Sequence, residues 1–281
     1  MLISSNSGLH SGRIGKDRYT MFEALDFFKD VGFEAFDINF CATIYGIGDS
    51  KKQREYILDG DWKKNIHMIG EKAAKLGIAI NTSHLPFFKY TNKDSLPLYD
   101  YYQEMVFRSM DAAAMLGVKW TVVHMTHDVS STVEYVRELC EYATPKKLGI
   151  AIENTIIPVD PLCEAIDTLK SEGYLVGACY DTGHANVAGL NQKEAIMQLG
   201  DRLKMLHVHD NFGKDHHQAP FCGQINWNDV MEGLAAINYT GDFNYEVNPT
   251  NIPECARKDY ARFLIEIAKH LFTVYDGYLT K

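Results

Sequence analysis

The 281-residue sequence has no Cys-x-x-Cys pair: Cys41, Cys140, Cys163, Cys179, Cys222 and Cys255 are scattered along it. That spacing argues against a closed thiolate zinc site or an iron–sulfur cluster, and suits reduced, mostly buried thiols in a cytoplasmic protein. The stretch "SSNSGLHSGRIG" has several glycines but no Gly-x-Gly-x-x-Gly, the loop that a dinucleotide-binding open sheet carries after its first strand. No apolar run approaches the ~18–20 residues of a membrane helix. The opening "MLISSNSGLHSG" lacks the basic-then-apolar order of a secretion leader. Positive charge is also scarce, with 28 Lys and Arg against 37 Asp and Glu, for a net charge of −9 with histidine neutral. Binding along a phosphate backbone rests on Lys and Arg, so nucleic acid is not an expected partner, and neither is a membrane. No low-complexity tract, long linker or composition shift divides the chain, so residues 1–281 are expected to form one domain.

What the chain does have is regular alternation. Short apolar runs predict strands at Leu2–Ser5, Ala35–Phe40, Ile78–Ser83, Trp120–His124, Gly149–Glu153, Val176–Tyr180, Met205–His209 and Phe243–Val247. Between and after them lie amphipathic stretches such as "WKKNIHMIGEKAAKLG" and "YYQEMVFRSMDAAAMLG", with apolar residues three and four apart and a closing glycine. Eight strand–helix units point to an α/β fold, a (β/α)8 TIM barrel in a single domain.

In such a barrel the active site lies at the C-terminal ends of the strands. Here those ends are polar. Strand three ends at His84, strand four at His124 and His127, strand five at Glu153, and strand six at Asp181 and His184. Strand seven carries His207, His209 and Asp210, and strand eight Glu246. A single histidine at a strand end is usually structural, and Asp181 before Thr-Gly has the alternative of capping a turn. Glu153 and Glu246, however, sit inside apolar runs, where an unpaired carboxylate is costly. Six consecutive strands delivering acid or imidazole to one rim predict a metal site. Period-two alternation puts His207 and His209 on one face, so either could enter the barrel. Ala151 below Glu153 and Cys179 below Asp181 leave room for their side chains. Two Glu, one Asp and one His suit Mn2+, Mg2+, Co2+ or Zn2+ with positions left open for substrate.

The motifs "ENT", "DTGHAN" and "HVHDN", with the Glu of "YEVNP", resemble in order and combination the xylose isomerase-like TIM-barrel superfamily. This group includes sugar isomerases and epimerases, inosose dehydratase-type enzymes and endonuclease IV-type nucleases. The resemblance covers nearly the whole chain and implies one divalent metal held by Glu153, Asp181, His207 and Glu246. It selects His207 over His209 and turns His184 towards the substrate. It also implies possible additional metals. The segment "DNFGKDHHQAPFCGQINW" resembles the Asp-x-His region after strand seven, so Asp215 and His217 would join His184 around one ion. His84, His124 and Glu153 would hold another, as in the nuclease branch. Barrels of this group often pair as homo-oligomers.

Two chemistries fit that rim. In a sugar, sugar phosphate or polyol isomerase or epimerase, the metal polarises a carbonyl, and Glu153 and Glu246 are the catalytic carboxylates that move a proton through an enediolate. His84, His124, His184 and His209 would then bind substrate hydroxyls, and Trp62, Phe87, Phe88, Trp120 or Trp227 would wall the pocket. A dehydratase would begin with the same proton abstraction. The alternative is a multinuclear-metal phosphoesterase of the endonuclease IV type. Against it, the rim shows only one basic cluster, Lys51, Lys52 and Arg54, and nuclease loops grip bent DNA with basic and intercalating side chains. A sugar-binding barrel without chemistry is a third reading, disfavoured by the two carboxylates.

Overall fold

In the computed structural model, residues 1–11, 21–44, 56–86, 99–249 and 251–280 are described. The eight expected strands form: β1 (Ile3–Asn6), β2 (Ala35–Asn39), β3 (Ala79–His84), β4 (Trp120–His124), β5 (Gly149–Glu153), β6 (Val176–Asp181), β7 (Leu203–His207) and β8 (Phe243–Tyr245). Neighbours pair in parallel in the order β7-β6-β5-β4-β3-β2-β1-β8. A parallel bridge between Val208 and Tyr245 joins the two ends, with Val208 N–H donating to the Asn244 carbonyl at 2.8 Å. The sheet thereby closes into the barrel that the alternation predicts.

Helices cover its outside: α1 (Gly8–Ser11), α2 (Met21–Val31), α3 (Trp62–Leu76), α4 (Tyr99–Met115), α5 (Val129–Ala143), α6 (Asp160–Ser171), α7 (Thr182–Val187), α8 (Gln192–Leu199), α9 (Trp227–Ala236) and α10 (Arg257–Leu279). The helix α3 shows how sequence sets these elements. Ile66, Ile69 and Ala73 recur at helical spacing and are buried, while Gly77 ends the helix at φ +68°, a left-handed conformation that glycine adopts without a Cβ penalty. The outward-facing residues of the strands, including Phe36, Ile38, Ile150, Ile152, Phe243 and Tyr245, complete the core against the helices.

Three expectations differ from the structure. Strand seven ends at His207 rather than His209, and strand eight at Tyr245 rather than Val247. Beyond His207 the chain turns to pair Asp210 with Gln218. The thiols are all free, but only Cys140 and Cys179 are buried, whereas Cys222 and Cys255 are exposed.

Inside the barrel, alternate strands contribute side chains in layers of four. The strand pairings place Asn39, His124, Asp181 and Glu246 in the layer at the C-terminal mouth, and Asn6, His84, Glu153 and His207 in the next. Below them come Asp37, Val122, Cys179 and Asn244, then Ser4, Thr82, Ala151 and Met205. Apart from Asp37 in the third, the acidic and imidazole side chains therefore occupy the top two layers. No helix among the described residues is long and apolar enough to cross a membrane.

Candidate metal centre and active site

Glu153, Asp181, His207 and Glu246 converge from β5, β6, β7 and the end of β8, each offering one ligand atom within 4.8 Å of the others. His207 Nδ1 lies 3.1 Å from Glu153 Oε2 and 3.2 Å from Glu246 Oε2. Glu153 is 1% exposed and Asp181 wholly buried, whereas Glu246 keeps an open edge. Glu153 Oε2 and both ring nitrogens of His207 are buried with no hydrogen-bond partner. A buried carboxylate oxygen and an imidazole without well-aligned partners are expensive unless a proton or a cation takes up the lone pairs between them. The donor set of three carboxylates and one imidazole suits a hard or borderline divalent ion. The residues present thus fit the ion that the chemistry implies.

Electrostatics without an ion point the same way. Burial alone would raise the Glu153 carboxyl, but the imidazoles of His207 and His124 outweigh it and hold the group well below the usual carboxylate range. Glu246 is lowered likewise, burial being overcome by His207. Burial opposes protonation of His207, yet the surrounding acids, Glu246 and Glu153 among them, keep it well above the ordinary histidine value. Protons do here what a metal ion would do.

Asp181, a member of this group, also caps a helix. Its Oδ1 accepts from the His184 backbone N–H at 2.6 Å, capping α7, so the turn-capping alternative is also true of it. The cap orients His184, whose Nδ1 lies 2.9 Å from the Asn154 carbonyl and 3.2 Å from Glu153 Oε1. Burial lowers and the Asp181 and Glu153 charges raise the His184 pKa, which reaches about 10.

A second group is formed by His84, His124 and Glu153. His84 Nδ1 is 2.7 Å from the Leu85 carbonyl and 3.6 Å from Cys41 Sγ. This leaves Nε2 facing His124 Nε2 at 3.0 Å and Glu153 Oε2 at 3.6 Å. Burial pushes His124 down to about 4.

A third group differs from expectation in its membership. His209, Asp215 and His217 bring ligand atoms together, while His184 Nε2 stands 3.9 Å from Asp215 Oδ2. His217 Nδ1–H donates to the Glu246 carbonyl at 2.7 Å, and Nε2 meets Asp215 Oδ1 at 3.0 Å. Burial would lower His217, but Asp215 and Glu246 raise it to about 9; burial would raise Asp215, but His217 holds it at about 2. His209, expected among the substrate contacts, is completely buried, stacked on His217 at 4.1 Å.

Supporting roles emerge that the strand-end reading did not assign. Asn154 accepts from the Asp181 backbone N–H at 2.7 Å and donates back to its carbonyl at 3.0 Å, pinning β5 to β6. Asp210, buried, accepts from the N–H groups of Asn211, Phe221 and Ile225 and from Trp227 Nε1, shaping the loop that carries Asp215 and His217. Gly223 is required there, since a Cβ would overlap Asp210 and Asn211. Asn6 donates to Glu246 Oε1 at 3.4 Å. Of the expected wall residues, Trp227 is buried against Asp210 and Trp120 stands at the opposite, N-terminal end of β4. Trp62 begins α3 outside the barrel. Phe87, Phe88 and the basic cluster Lys51, Lys52 and Arg54 lie outside the described residues.

The chain belongs to the xylose isomerase-like TIM barrel family, which it matches over residues 25–267. It is 30% identical over 188 residues to an uncharacterised protein of Sinorhizobium fredii, covering 58% of this chain and 59% of that one. It is 35% identical over 79 residues to a D-psicose 3-epimerase of Enterocloster bolteae, covering 28% and 25%. The chain thus aligns with less than two thirds of either relative. Among solved structures, a D-tagatose 3-epimerase-like protein superposes with a TM-score of 0.74 over 99% of both chains at 22% identity, a likeness of fold.

Proposed function

We propose that this protein is a divalent-metal-dependent sugar epimerase or isomerase. The observation that carries this reading is the placement of Glu153 and Glu246, two carboxylates that meet at His207 Nδ1 within one four-residue cluster. The D-psicose 3-epimerase relative adds support for a ketose substrate. Glu153, Asp181, His207 and Glu246 would hold the ion. When bound it would polarise the sugar carbonyl as a Lewis acid and make the neighbouring C–H acidic.

The chain's own residues do the rest. One of Glu153 and Glu246 removes the proton from the carbon beside the carbonyl, and the other returns a proton from the opposite face, which inverts that carbon. Return to the neighbouring carbon instead gives isomerisation. His184 and His124, the partly exposed imidazoles of the rim, orient hydroxyls, and buried His84 backs His124.

A second reading is favoured by the facing Nε2 atoms of His84 and His124 beside Glu153, and by the group around Asp215. Filled with ions, these would make a multinuclear phosphoesterase. Elemental analysis of protein purified without chelator separates the two. One divalent ion per chain, with C3 epimerisation of a ketohexose followed by chromatography, supports the first. Three ions with hydrolysis of a phosphoester, and no change in any ketose, overturn it.

A further inference from the structure

Beneath the top two layers the barrel interior divides in half. On the β4–β7 side it is apolar, built of Val122, Ala151, Cys179 and Met205. On the side of β8, β1, β2 and β3 the same two layers hold Asn244, Ser4, Asp37 and Thr82, each at most 6% exposed. Ser4 Oγ, Asp37 Oδ1, Thr82 Oγ1 and both amide atoms of Asn244 have no hydrogen-bond partner among the described residues. Buried polar groups in native proteins are almost always paired, with protein or with ordered water. The Thr82 hydroxyl stands close enough to act on the Asp37 carboxyl, yet so many buried polar atoms without well-aligned partners in one half of the barrel imply an occupant.

His207, in the layer above, has the complementary deficit. Its Nδ1 faces Glu153 and Glu246, and its Nε2 is buried with no well-aligned nitrogen or oxygen partner. The Val208–Tyr245 bridge sets Asn244 beside His207 across the closing seam. On the other flank the Cys179 thiol approaches the ring, but sulfur is a weak acceptor. A histidine that binds a metal through one nitrogen almost always donates its other N–H to a carboxylate, a carbonyl or water.

We propose that Asn244 and Asp37 are the positioning residues of His207, accepting its Nε2 proton through enclosed water and fixing the Nδ1 lone pair towards the ion. The proposal rests on the reading of His207 as a metal ligand. His207 Nε2–H donates towards Asn244 Oδ1, Asn244 Nδ2–H passes the chain on to Asp37 Oδ1, and the hydroxyls of Ser4 and Thr82 complete the shell of the intervening water. Such a site is polar enough to hold water, which needs about 2–4 partners. Burial pushes the Asp37 carboxyl up and the nearby His207 opposes it, as expected of two groups sharing one buried enclosure.

Asn244→Leu and Asp37→Leu test this, each measured for Co2+ affinity by competition with a chromophoric chelator, for the Co2+ absorption spectrum, and for the melting temperature without ion. Both variants are expected to bind Co2+ about 10–100-fold more weakly, with an altered spectrum. Their ion-free melting temperatures should fall as well, because each substitution strands the remaining members of the hydrogen-bonded chain. Wild-type affinity and spectrum in whichever variants fold would overturn the positioning role alone. If the wild-type protein itself takes up no Co2+, the metal reading fails and this proposal with it.

Discussion

Asp181 Oδ2 and His209 Nε2 are joined by a 3.0 Å hydrogen bond in a wall of the barrel that neither shares with solvent. The bond ties the first turn after β6 to the segment after β7, and Thr182 reinforces it by donating to the His209 carbonyl at 2.7 Å and accepting from its N–H at 3.1 Å. Asp181 is thereby held by His209, by Asn154 and by the α7 cap, which leaves it little freedom to choose a rotamer. A carboxylate so fixed is preorganised for whatever it binds.

Gly183 is where this wall has no tolerance. A Cβ at that position would overlap the His209 imidazole, so Gly183→Ala must displace the ring that supports Asp181. Overpacking of this kind costs about 1–3 kcal/mol. The melting temperature should fall, and divalent-ion affinity should fall with it; an alanine variant with wild-type ion affinity would show that the support of Asp181 by His209 does not matter.

The loop after β7 makes a separate prediction. Asp210 satisfies four N–H donors while fully buried, and an amide in its place would turn its own N–H2 towards some of them. Asp210→Asn should destabilise by about 1–3 kcal/mol per donor left unpaired. It should also loosen Asp215 and His217, which hydrogen–deuterium exchange over residues 211–226 would register, while the strands exchange as before.

How much of this was legible from sequence follows from where each residue sits. The strand ends could be read because a barrel brings every C-terminal end to one rim, so Glu153, Asp181 and Glu246 needed only the strand count to fall together, while the family resemblance chose His207 over His209. His209 was misplaced because alternation holds only while the strand lasts, and β7 ends at His207. The helix α7 was missed because six residues are too few to show a helical period. Asn154 and Asp210 were invisible as supports, since their partners are backbone groups that only the closed barrel brings near. Asp37, in "AFDIN", looks like the polar position of a half-exposed strand, and only closure shows that this face points into the barrel.

For the two carboxylates proposed to move the proton the expectation is plain. Glu153→Gln or Glu246→Gln keeps the shape and removes the proton acceptor, so turnover of the ketose should vanish while circular dichroism and the unfolding transition remain those of a folded barrel. A Gln variant that turns over at the wild-type rate would rule out proton transfer by that carboxylate.

The last prediction concerns pH, and its sign comes from the histidines. In the ion-free protein burial lowers and neighbouring acids raise His217, to about 9, and His184, to about 10, from an ordinary 6.5. A group whose folded value lies above its unfolded one contributes stability that is complete below the unfolded value and is lost as pH rises through the folded one. The ion-free melting temperature should therefore decline from pH 6.5 towards pH 10. Metal binding runs the other way. His207 is held protonated well above its ordinary value, and a proton must leave before its nitrogen can serve as a ligand. Ion affinity should rise with pH, and calorimetry in buffers of different ionisation enthalpy should show protons released on binding. With a saturating divalent ion the alkaline decline should flatten, because the ion takes over the work of the protons. Equal slopes with and without the ion would mean that it binds elsewhere on the molecule.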